Sequence, residues 1–72
     1  MTYFEYTERI KRMDLFIRSE NTGTAQELSQ RLGVCRRTIF DDLQYIKNKG
    51  ADIAFSKFRK TYYYANKFVL IF

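Results

Sequence analysis

Residues 24–49, TAQELSQRLGVCRRTIFDDLQYIKNK, decide the reading of this chain. They read as two short helices joined by a tight turn. Thr24 is followed three residues later by Glu27. That is the capping-box spacing, in which each side chain accepts from the other residue's backbone N–H. Leu28 and Leu32 then give an apolar stripe at helical spacing. Gly33 follows where a helix ends in a left-handed residue, and Val34 can plug the core between the two helices. The second helix is predicted over residues 35–49. It buries Ile39, Leu43 and Ile46, spaced four and then three apart. Its other face carries Arg36, Arg37, Phe40, Asp41, Gln44 and Asn48. Lys47 and Lys49 fall in the last turn, where cations suit the helix dipole, and Gly50 can close the helix.

Arg36 and Arg37 are badly placed for stability. The first turn of a helix is the positive end of its dipole, and a cation there costs up to ~1 kcal/mol. The same position is well placed to hold phosphate, because free backbone N–H groups and guanidinium groups point one way. One reading makes this a recognition helix. The other makes it a solvated charged turn, with Arg37 paired to Asp41 four residues on.

The run ELSQRLGVCRRTIFDDLQYIKNKGADIAF, with the later YYY, resembles the winged helix-turn-helix domain of DeoR-type bacterial transcription regulators. The matching features are Thr24, Glu27-Leu28, the small Ser29, Leu32-Gly33-Val34, Arg37-Thr38-Ile39, Asp42-Leu43, Gly50, Ile53 and Tyr62 to Tyr64. They cover roughly residues 8–66. The resemblance implies a mainly α fold with a small β-hairpin: a three-helix core plus a wing. It also implies that double-stranded DNA is bound, with Arg36, Arg37, Thr38 and Phe40 at the contact and Gln44 further along the same face. Asp42 falls on a structural position of the family. Two positions depart from the pattern. Cys35 stands where the family has a serine cap, and a thiol caps poorly, weakening the helix start by about 1 kcal/mol. Asp41 stands where an arginine is common; an acid there repels phosphate and can accept only from cytosine N4. A winged helix that has lost DNA affinity and serves as a protein-interaction module is the rival reading, and Asp41 would permit it.

The chain as a whole sets limits. Seventy-two residues make one domain, residues 1–72, of a size that buries only about 60% of its unfolded surface. One cysteine forms no internal disulfide, and without histidine there is no ordinary zinc site. Six Tyr and seven Phe are the compensation on offer. A single free thiol fits a reducing cytoplasm, and neither a signal peptide nor a membrane-spanning run is expected. The net charge is +5, but all eight acids lie at or before Asp52. Beyond it come Lys57, Arg59, Lys60 and Lys67. A basic segment beside a candidate recognition helix is an electrostatic footprint for nucleic acid. Catalysis has little to work with: no histidine for a general base, no spaced acid pair and no glycine-rich phosphate loop. Neither cofactor, metal nor small-molecule ligand is implied. Cys35, at a helix start beside Arg36, could have a lowered pKa and react, against the plainer reading of a small side chain at a turn.

Around the central stretch, residues 3–20 read as a first helix. Tyr6, Ile10, Met13 and Ile17 form its core stripe, with Phe16 alongside. Phe4 and Leu15 fall off that stripe and share another face, eleven residues or about three turns apart. Asn21-Thr22-Gly23 breaks the helix. In the family such a segment can add a strand to the wing. Residues 51–65 read as the wing hairpin. Ile53 and Phe55 alternate with Ala54 and Ser56, and Thr61 to Tyr64 is β-branched and aromatic. Lys57-Phe58-Arg59-Lys60 has no Gly, Asn or Asp, so a loop longer than two residues is expected. Lys57, Arg59 and Lys60 there suit the phosphate backbone. Phe58 either touches a sugar or base step or folds back on the strands. Residues 66–72 are a tail ending in Phe68-Val69-Leu70-Ile71-Phe72. Such a run needs a cover. It can dock on Phe4 and Leu15 of its own chain, or join a second copy in a homodimer through the first helix and the tail.

Overall fold

Three helices and a two-stranded hairpin make up the protein, a computed structural model of which describes residues 2–70. They follow in the order α1 (Tyr3–Arg18), α2 (Ala25–Leu32), α3 (Arg36–Asn48), β1 (Ile53–Ser56) and β2 (Thr61–Tyr64). This is the winged helix-turn-helix architecture expected. Both of the first two helices open with a complete capping box, Thr2 with Glu5 and Thr24 with Glu27.

All three helices end by one device. After the last turn a residue of positive φ reverses the chain: Glu20 at 54°, Gly33 at 69° and Gly50 at 113°. The next N–H then reaches back five residues, from Asn21 to the Phe16 carbonyl, Val34 to Ser29 and Ala51 to Ile46. That is the Schellman closure. It explains why α1 stops at Arg18, two residues short of the expectation. The chain reverses at Glu20, ahead of the Asn21-Thr22-Gly23 break, with a non-glycine residue in the left-handed position.

Ile10, Met13 and Ile17 of α1 meet Leu28 of α2 and Ile39, Leu43 and Ile46 of α3 in one core. Burying each such side chain contributes about 1.5–3 kcal/mol. Ala51, Ile53 and Phe68 close it from the wing side, while Leu32, Val34, Tyr45 and Tyr64 pack at its edges. Tyr6 is only half-buried, and Thr7 beside it is buried. One charge pair crosses this core. Arg9 of α1 donates twice to Asp42 of α3, Nε to Oδ2 at 2.6 Å and Nη2 to Oδ1 at 3.0 Å.

The strands pair antiparallel from Ile53 opposite Tyr64 to Ser56 opposite Thr61. Four residues, 57–60, turn the hairpin, as a sequence without Asn-Gly or Asp-Gly demands. Ile53 is buried, but Phe55 is exposed, against the expected alternation. Its ring meets Tyr62 of the paired strand edge to face, with centres 4.8 Å apart. The segment between α1 and α2 joins the wing through side chains rather than as a strand. Thr22 donates its N–H to Thr61 Oγ1 at 3.1 Å, and its own hydroxyl accepts from the Tyr62 N–H at 2.8 Å.

The tail differs from the expectation. Phe68 is buried against Tyr64, ring centres 5.2 Å apart, and its carbonyl accepts from Arg18 Nη2 at 2.8 Å. Phe68 therefore belongs to the core, and the described tail leaves Phe4 and Leu15 exposed. The last two apolar residues, Ile71 and Phe72, lie outside the described residues. Among the described residues no helix is long and apolar enough to cross a membrane.

Candidate nucleic-acid interface

The outer face of α3 is set by the burial of its inner one. Ile39, Asp42, Leu43 and Ile46 point into the core, so Arg36, Arg37, Phe40, Asp41, Gln44 and Asn48 must point out. Arg36 and Arg37 are exposed in the first turn, which contains no acid. Among the described residues neither arginine forms an ion pair, so the pairing of Arg37 with Asp41 is not made. Gln44 donates to Asn48 Oδ1 at 3.0 Å, one turn along. Phe40 is 53% exposed. This face thus shows solvent two guanidinium groups and part of an aromatic ring.

Cys35 is the N-cap residue of α3, in extended backbone, and makes no cap hydrogen bond. Its sulfur stands 3.3 Å from the Thr38 hydroxyl. That hydroxyl, then the backbone N–H groups of Thr38 and Arg37, favour the thiolate and draw the Cys35 pKa below its usual value. Thr38 itself is half-buried, and its hydroxyl faces the thiol.

The wing tip carries the second group of cations. Lys57, Phe58, Arg59 and Lys60 are all exposed, and Phe58 is 97% exposed, so it does not fold back on the strands. The loop is held: the Arg59 N–H donates to Ser56 Oγ at 3.1 Å, and Lys60 takes a left-handed turn at φ 54°. Arg59 pairs with Glu20, so this arginine ties the wing to the end of α1. At the start of α2 the Thr24 backbone N–H and hydroxyl hold the Glu27 carboxyl below its usual pKa, with smaller help from the charges of Arg31 and Lys60. Three of the expected contact residues, Thr38, Gln44 and Arg59, thus have partners inside the fold. Arg36, Arg37, Phe40, Lys57 and Phe58 stand outward.

The couplings of Glu20 with Arg59 and of Thr22 with Thr61 were not read from the sequence. Each joins residues 39 positions apart, and no local spacing marks them.

Comparison with known proteins agrees with this geometry. A family model described as an HTH domain matches residues 9–63, from the middle of α1 to the last strand. Neither a search of curated proteins nor one of solved structures gave a match.

Proposed function

The chain belongs to the HTH domain family, and on that premise we propose that it binds double-stranded DNA and regulates transcription in a bacterial cytoplasm. In this reading α3 lies in the major groove and the wing rides on the phosphate backbone. The finer likeness to DeoR-type regulators is part of the proposal. The observation that carries it is the first turn of α3. Two exposed arginines without an ion-pair partner among the described residues sit where the dipole already repels them. That arrangement costs stability in isolation and is repaid when a phosphate arrives. Lys57 and Lys60 at the wing tip are exposed as well and add positive charge for a phosphate backbone. Arg36, Arg37, Phe40 and Gln44 are the proposed groove contacts, with Lys57 and Lys60 on the backbone. Thr38 positions the helix start, and Arg59 holds the wing.

Phe40, Asp41 and Phe58 favour the second reading, a module that binds another protein. Salt separates the two. About four neutralised phosphates, one for each of Arg36, Arg37, Lys57 and Lys60, give a slope near −3.6 in log affinity against log salt. Titrating a labelled duplex at two salt concentrations measures it. A steep fall in affinity supports the proposal, and an absence of binding at low salt leaves the interaction module standing.

A further inference from the structure

We propose that the outer face of α1 is self-complementary, and that a second copy of this chain docks on it with the two helices antiparallel. Phe4, Glu8, Lys11 and Leu15 are spaced four, three and four residues apart. At 3.6 residues per turn they fall within about 60° of one another. They lie away from Ile10, Met13 and Ile17, the residues α1 buries. Phe4 is 71% and Leu15 66% exposed, and the described tail covers neither. The row therefore reads apolar, acid, base, apolar along one edge of the helix.

Laid antiparallel on itself about a point between residues 9 and 10, this row matches term by term. Phe4 faces Leu15 of the second copy, and Glu8 faces its Lys11. A parallel pair would set Glu8 on Glu8 and Lys11 on Lys11, so charge selects the antiparallel one. Within one chain Glu8 and Lys11 stand 3.6 Å apart and both remain about half exposed. In the dimer they join two opposite charges across the axis. The spacing of four and three is that of a coiled-coil seam. Shallow grooves beside the row supply walls: Leu32 and Val34 next to Phe4, and Phe16 next to Leu15, meeting at Arg12. Two α3 helices related by a two-fold axis would then present themselves to a symmetric DNA site. The paired stretch is one short helix, well below a standard interface of about 1,600 Å², so the dimer is weak, with Kd on the order of tens of micromolar.

Sedimentation equilibrium without DNA tests this separately from the DNA reading. At about 200 µM the wild-type chain should be mostly dimer. Glu8→Lys and Lys11→Glu, each shown folded by circular dichroism, should dimerise at least about tenfold more weakly, because each puts like charges face to face. An equimolar mixture of the two variants should regain the dimer, since position 8 of one then opposes position 11 of the other with opposite sign. Phe4→Ala with Leu15→Ala should abolish it. A monomeric wild type, single variants that associate like wild type, or a mixture no better than its components would each overturn the proposal.

Discussion

Asp41 and Asp42 are neighbours in the chain but point different ways from α3, one out to solvent and one into the core. Asp42 is 2% exposed and takes two hydrogen bonds from Arg9 across the core. Asp41 is exposed and lies among Arg36, Arg37, Phe40 and Gln44. One carboxylate orders the fold by fixing α1 against α3. The other is exposed and forms no ion pair among the described residues; in the proposed reading it weakens the phosphate attraction of the arginines beside it. One helical step of about 100° separates a carboxylate paired in the core from one exposed to solvent.

The inner face predicts the largest effect. Asp42→Ala leaves the Arg9 guanidinium in the core without its acid, and losing one partner of a buried pair costs about 3 kcal/mol. For a domain of this size that is most of the stability. Urea unfolding measures it. A second variant, Asp42→Leu with Arg9→Met, should recover most of the loss, because the charge is removed along with its partner. A single change costing under about 1 kcal/mol would break the contrast between the two faces.

On the outer face the effect moves from folding to binding. Arg37→Ala should cost about 2 kcal/mol of specific DNA affinity and clearly less on random duplex, if this arginine reads a base. Lys57→Ala should weaken both alike, since phosphate contacts carry little sequence information. Competition titrations with the two DNA classes would show whether helix and wing divide the work in this way.

At the junction of the two faces, Cys35→Ser should stabilise the domain by about 1 kcal/mol, because a hydroxyl can accept from the N–H groups the thiol leaves uncapped. Its melting temperature should rise while DNA affinity holds. The smallest effect is expected at Phe40, where replacement by Ala should move stability by under about 0.5 kcal/mol, as for surface sites with no partner. A larger loss in urea would place the ring in the fold rather than at an interface.

Most of the fold was legible because its determinants are local. The Thr24 and Glu27 box, Gly33, the Ile39, Leu43 and Ile46 spacing and the four-residue wing tip each declare themselves within a few residues. What was not legible lies in pairings across the chain. No spacing announces that Arg9 answers Asp42, that Thr22 ties itself to Thr61, or that Glu20 takes Arg59. The place of Phe68 escaped the reading for the same reason. Five apolar residues in a row say that a cover is needed, but Tyr64 and Arg18, which receive Phe68, are marked only by the folded chain. The outward cations were readable as a class, yet Arg59 differs from Lys57 only through Glu20, a partner on another element.

The central claim is that the outer face of α3 lies against DNA. Asp41→Arg tests it most directly, because Asp41 is exposed and has no ion pair among the described residues. The affinity of this variant for a non-specific duplex at low salt should rise by about tenfold. Its salt dependence should steepen by about one unit of slope, as one more phosphate is neutralised. An affinity and a slope equal to those of the wild type would mean that this face does not meet DNA.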